Sequence, residues 1–114
     1  MAPVCDITSD PYSFMYYRSF SSDAASTSRF VDTVVKASKE KKLGTVLKHF
    51  PGYGDNGDTH YSSATDSRTF SDLQNNDFLP FQAGIAAGAD SILVSHITVN
   101  SIDSDNPASL SEPV

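Results

Sequence analysis

Gly44-Thr45-Val46-Leu47-Lys48-His49-Phe50, closed by Pro51-Gly52, decides the fold. The run is short, apolar and β-branched, and it stops at a strong turn signal. It predicts a buried strand whose carboxyl end carries Lys48 and His49. Two other segments share its character. Met1-Ala2-Pro3-Val4-Cys5-Asp6-Ile7 predicts a strand with almost no lead-in, ending in polar Asp6. Ala89-Asp90-Ser91-Ile92-Leu93-Val94-Ser95-His96 predicts another, ending in Ser95 and His96.

Helical patterns separate these strands. Phe30, Val31, Val34 and Val35 recur on one face between Asp23 and Lys42. Asp23 is the expected N-cap, because its carboxylate can accept from the open N–H groups of the first turn. Lys36, Lys39, Lys41 and Lys42 gather at the far end, where cations suit the helix dipole. Ser71-Asp72-Leu73-Gln74 fits a capping box for a second helix. Phe78, Phe81, Ile85 and Ala86 are its expected inner face, Pro80 kinks it or opens a second helix as its first residue, and Gly88 ends it. Apolar strands alternating with helices imply an α/β fold with a parallel sheet covered on both faces. The tail from Asn100 to Val114 is turn-rich and predicts no core element.

Composition narrows the function. The 114 residues suffice for one small domain, and the net charge of −6 argues against a nucleic-acid binder. Hydrophobic residues make up 39%, against a globular average of about 45–50% on a similar definition, so the core is thin. No apolar run approaches the roughly 18 residues of a membrane span. The single cysteine, Cys5, cannot form an internal disulfide and reads as core. The aromatic stretch from Ser9 to Phe20 reads as a loop whose rings cover a neighbouring core.

In α/β folds ligands gather at the carboxyl ends of parallel strands. Asp6, Lys48-His49 and Ser95-His96 fall there. The long polar loop over residues 51–69, which follows the middle strand, adds Asp55, Asp58, His60 and Asp66. In Asp58-Thr59-His60 the outer residues can point the same way. The carboxylate then fixes one ring nitrogen and leaves the other to move protons. The same spacing also suits a solvated, non-functional turn. The three histidines match no compact zinc signature. Gly52-Tyr53-Gly54 alone is no phosphate loop.

Lys48-His49-Phe50-Pro51-Gly52-Tyr53-Gly54 followed by Asp58-Thr59-His60 resembles the signature loop of glycoside hydrolase family 3. The closest likeness is to its β-N-acetylhexosaminidase branch, whose loop usually reads KHFPGHG and then DSH. Ala2-Pro3-Val4-Cys5-Asp6, Arg18-Ser19-Phe20, Asp77-Phe78-Leu79-Pro80-Phe81 and Pro107-Ala108-Ser109-Leu110-Ser111 resemble further family segments in the same order. The resemblance implies part of a (β/α)8 barrel with about three parallel strands. It implies a catalytic dyad of Asp58 and His60, sugar contacts from Arg18, Lys48 and His49, and no metal or organic cofactor. It also implies a cis bond near Phe50-Pro51. The implied partner is a carbohydrate carrying a terminal N-acetylhexosamine, such as an N-acetylglucosamine-containing glycan or a muropeptide-like sugar. A family 3 hydrolase of another sugar, such as a β-glucosidase, and a non-catalytic sugar-binding relative stay open beside it.

Tyr53 stands where the branch usually has histidine and Thr59 where it has serine, and the loop is one residue shorter. The family's nucleophile is an aspartate on a later strand, which places it beyond Val114. Such barrels typically need about 250 residues. Residues 1–114 therefore read as a single incomplete domain, expected to be inactive alone and to fall below the roughly 5–15 kcal/mol stability of ordinary domains. A start inside a barrel leaves the compartment open.

Overall fold

The computed structural model describes residues 2–114. Helix α1 (Ala24–Glu40) leads into strand β1 (Val46–Phe50). Strand β2 (Thr65–Asp66) follows within the long loop. A helical run over 70–87 comprises α2 (Phe70–Asp72), a π-helical stretch (Leu73–Asp77) and α3 (Phe78–Ala87). Strands β3 (Ser91–Val94) and β4 (Thr98–Val99) and a 3-10 turn (Ala108–Leu110) complete the chain.

β1 and β3 pair in parallel, with Val46 opposite Ser91 and Lys48 opposite Leu93. Residues 2–5 run along the other side of β1. Val46 and Lys48 donate to the Ala2 and Pro3 carbonyls, and the Cys5 amide donates to Lys48. The three predicted strands therefore lie side by side in a parallel arrangement, but β3, expected to be buried, is an open edge on which Ser91, Ile92 and Leu93 are exposed. The first is shorter than expected, with a single β-bridge at Val4. Pro3 has no N–H to give, and the chain turns away once Asp6 has reached the far side of His49. Met1, the first residue of the expected strand, lies outside the described residues. β2, inside the segment expected to be loop, and β4, just past the third predicted strand, form a second, two-residue parallel pair.

Asp23 caps α1, accepting from the Ser26 amide at 2.7 Å. Val31 and Val35 are buried as the periodicity predicts. Of the lysines, Lys39 donates to the Gly88 carbonyl and Lys36 pairs with Asp32.

The second helix departs from expectation in three ways. Its capping box is Thr69 with Asp72, two residues early: Asp72 donates its amide to the Thr69 hydroxyl and accepts from the Thr69 amide. Pro80 stands third in α3, directly after the π-helical stretch, and the helix continues past it. The wider turn relieves the clash that a proline ring makes with the carbonyl four residues back. The inner face is Pro80, Phe81 and Gly84, while Ile85 and Ala86 are exposed. A Cβ at Gly84 would come 2.6 Å from a Leu47 methyl and 2.9 Å from Val31, so the helix sits against β1 only because that side chain is absent. Gly88 ends α3 at φ +90°, as predicted.

Two hydrophobic clusters result. Cys5, Val31, Val35, Leu47 and Phe81 pack between the sheet and the helices. Burial pushes the Cys5 thiol up to about 12, as suits a core cysteine rather than a nucleophile. Met15, Tyr53, Leu73, Ile97, Val99 and Ala108 form the second cluster among the loops beyond the strand ends. Ala108 thus gives the tail a core residue that was not expected.

Candidate active site

The ladder between β1 and β3 skips His49: Lys48 faces Leu93 and Phe50 faces Val94. Such a bulge re-aims a side chain. Cis peptide bonds occur at Lys48-His49 and, as expected, at Phe50-Pro51; a third is at Ala2-Pro3. Freed from the ladder, the His49 amide donates to Asp6 Oδ2 at 3.0 Å, and His49 Nδ1 meets the same oxygen at 2.8 Å. Asp6 Oδ1 accepts from the Tyr53 amide at 2.9 Å. Arg18 Nη2 lies 3.3 Å from His49 Nε2. Arginine can only donate, so Nε2 accepts and Nδ1 carries the proton that goes to Asp6. A polar chain therefore runs from buried Asp6 through His49 to the exposed Arg18.

His60 Nδ1 lies 2.6 Å from Asp58 Oδ1, and the His60 amide donates to the same oxygen at 2.9 Å. That backbone bond, then the ring bond and the nearby positive charges, hold the Asp58 carboxyl below the usual carboxylate range. An ionised carboxylate only accepts, so Nδ1–H donates, and Nε2 is left without a partner among the described residues. Thr59, between them, is bonded to the buried Tyr53 hydroxyl at 2.5 Å. The two residues that depart from the usual loop therefore touch each other. Tyr53 also packs edge-on against His49 and Phe14.

A cleft of about 200 Å³ lies at this end of the strands. His49, Tyr53, Thr59 and His60 line it, together with Leu93 to His96 at and just beyond the end of β3. His49 and His60 are thus brought together, with Asp58 bound to His60 and Arg18 bound to His49. Lys48 is not among the lining residues. Its backbone is held in the strand pairing, and its ammonium makes no hydrogen bond or ion pair among the described residues. All three histidines reach the cleft, yet no three His, Cys, Asp or Glu among the described residues converge as metal ligands.

One residue that fixes this geometry, Arg68, was not singled out from the sequence. Arg68 donates to Asp66 Oδ2 at 2.6 Å, to both Asp77 oxygens at 2.8–2.9 Å and to the Gly52 carbonyl at 3.1 Å. It ties both ends of the loop that carries the dyad to the end of the π-helical stretch, just before α3. Burial works against the Arg68 charge, but its carboxylate partners outweigh that and hold its pKa above the ordinary value. Burial pushes the Asp77 carboxyl up, against the pull of Arg68. Gly52 and Gly54 make room for this group. A Cβ on either would come 2.7 Å from Asp77 Oδ1 or Arg68 Nη1 respectively, and both have positive φ. Those two glycines, each in a turn, were the available signal.

A parallel α/β unit with its polar groups gathered at the strand ends defines an α/β scaffold with a candidate active site in its loops. Residues 1–114 match the model of the glycosyl hydrolase family 3 N-terminal domain, and the chain belongs to that family. A beta-hexosaminidase of Stenotrophomonas maltophilia is 41% identical over 81 residues, covering 70% of this chain and 24% of that protein. A family 3 beta-N-acetylglucosaminidase from a Paenibacillus species superposes with a TM-score of 0.92 at 29% identity, over 97% of this chain and 22% of that one. NagZ from Neisseria gonorrhoeae, solved in complex with N-trifluoroacetyl-D-glucosamine, gives 0.87 at 27% identity, over 98% and 33%. The chain spans about a quarter to a third of the length of these relatives.

Proposed function

We propose that this chain supplies the acid/base dyad and part of the sugar-binding site of a retaining β-N-acetylhexosaminidase. The observation that carries the reading is the Asp58–His60 pair, with Nε2 unpartnered among the described residues, beside a cleft lined also by His49, whose ring meets Arg18. The hexosaminidase relatives support the substrate class. Residues 1–114 are read as a single incomplete barrel domain, in keeping with the fraction of the relatives that they span.

In the first step a carboxylate nucleophile attacks the anomeric carbon. The glycosidic C–O bond breaks, and the leaving oxygen takes the proton from His60 Nε2. In the second step water attacks the anomeric carbon, gives its proton back to Nε2, and releases the carboxylate. Asp58 stabilises the imidazolium that exists before the first step and after the second. The family's aspartate nucleophile has no counterpart assigned in this chain, so the chain alone is expected to turn over no glycoside.

Aryl glycoside assays test this. The protein expressed from its full reading frame is expected to hydrolyse 4-nitrophenyl N-acetyl-β-D-glucosaminide with kcat/KM at least about tenfold above that for the β-glucoside, a gap of ~1.4 kcal/mol in transition-state binding. A preference for the glucoside would move the assignment to another family 3 activity. Sugar binding without turnover would make the protein a non-catalytic relative. Robust turnover by the 114-residue chain, lost on His60→Ala, would overturn the division of labour.

Arg18 and Lys48 are assigned to holding the terminal sugar, and His49 both lines the cleft and orients Arg18. Hydrogen bonds from charged donors are worth about 1.5–3 kcal/mol. Arg18→Ala and Lys48→Ala are each expected to raise KM roughly 10–100-fold, with a smaller effect on kcat. Wild-type kinetics in both would reject the assignment.

A further inference from the structure

The end of β3 carries polar groups that the dyad chemistry leaves unused. The Ser95 amide donates to the Phe50 carbonyl at 2.8 Å, and the Ser95 carbonyl accepts from the Ser109 amide at 3.1 Å. Ser95 is clamped on both sides, is 6% exposed, and its hydroxyl has no hydrogen-bond partner among the described residues. An orphaned buried hydroxyl is costly, and such groups are few in native structures. This one belongs to a residue that lines the cleft. Next to it, His96 Nδ1 is bonded to the Ser109 hydroxyl, while the ring is solvent-exposed and also lines the cleft. Fixing Nδ1 sets the ring's orientation and leaves Nε2 without a partner among the described residues. Ser109 is itself placed by the 3-10 turn, whose Ala108 amide donates to Ile97 at 2.8 Å.

We propose that His96 is a further substrate-binding residue, oriented by Ser109, and that its free ring nitrogen receives a hydroxyl group of the sugar bound in the cleft it shares with His60. Sugar hydroxyls both donate and accept, so they satisfy an imidazole nitrogen in either tautomer. Ser109 is the positioning residue, acting through His96. This role rests on the hexosaminidase reading.

The test uses the protein expressed from its full reading frame, with N-acetylglucosamine as competitive inhibitor and 4-nitrophenyl N-acetyl-β-D-glucosaminide as substrate. His96→Ala is expected to raise both the inhibition constant and KM about tenfold, in line with loss of a substrate hydrogen bond. His96→Gln, which keeps a donor and an acceptor, restores part of the loss. Ser109→Ala shifts both constants the same way by less, and Ser109→Thr, which keeps the hydroxyl, does not. Both constants within twofold of wild type in His96→Ala and His96→Gln would overturn the inference while leaving the functional reading intact. A wild-type protein that neither binds N-acetylglucosamine nor cleaves the aryl glycoside would overturn both.

Discussion

His60→Ala in the protein expressed from its full reading frame is expected to lower turnover of N-acetyl-β-glucosaminides about 10²–10⁴-fold, the usual worth of a positioned acid/base. The affinity for N-acetylglucosamine should change little, because the His60 ring meets Asp58 at one nitrogen and offers only the other to the reaction. The loss should depend on the leaving group. A 4-nitrophenolate departs with little help, so its first step suffers least, whereas an unactivated disaccharide needs the proton. Both substrates meet the same second step, in which His60 accepts the proton of water. Added azide, a nucleophile that needs no deprotonation, should therefore rescue the activated substrate and not the disaccharide. Equal rates for wild type and variant on both substrates would remove His60 from the mechanism. Acid works through the partner: as pH falls below the lowered pKa of Asp58, the carboxylate takes a proton and the hydrogen bonds that hold the turn are lost.

Arg68→Met should destabilise the fold by about 3 kcal/mol at neutral pH. The side chain is only part-buried, but its partners Asp66 and Asp77 are nearly inaccessible. Removing one member of a buried ion pair leaves uncompensated charge, which typically costs about 3–5 kcal/mol. Access of water to Arg68 places this case at the low end. The pH dependence separates lost charge from lost packing. Burial already holds the Asp77 carboxyl above its ordinary value, and removing the guanidinium moves it further up. A folded state that binds a proton more tightly than the unfolded chain gains stability as pH falls. The penalty should therefore shrink between neutrality and the ordinary carboxylate pKa near 4. Denaturant unfolding of wild type and variant across that range measures it. A penalty that does not vary with pH would mean that the side chain contributes packing alone.

The contrast between the dyad and the Arg68 group explains what the sequence could and could not show. Asp58 and His60 are two residues apart and joined by bonds within one turn, so their pairing was legible. Asp23 and Gly88 were legible for the same reason, since a cap acts within its own turn. Arg68 gathers Gly52, Asp66 and Asp77 from three separate segments, and nothing local announces that convergence. The inner face of α3 was misplaced because its centre is Gly84. A residue without a side chain adds nothing to a hydrophobic period, although its absence is what lets Leu47 and Val31 approach. The capping box was misplaced because two overlapping matches exist, at Thr69 and Ser71, and only the first makes the bonds. Asp6 stood out as a polar strand end, but its bonds to His49 and Tyr53 depend on a bulge that no spacing reveals.

The separation of the two hydrophobic clusters bears on how such a protein can diverge. The cluster under the helices and the cluster under the loops share no member, and the ring contact of Phe50 with Phe78, 5.4 Å between centroids, joins them. Substitutions at distant sites without shared partners add nearly independently. Lineages can then accumulate exchanges around Tyr53 and Thr59 without disturbing the cluster beneath the helices. Drift in the scaffold can likewise proceed without erasing the chemistry above it. Phe50 and Phe78 are the positions where the two histories constrain each other.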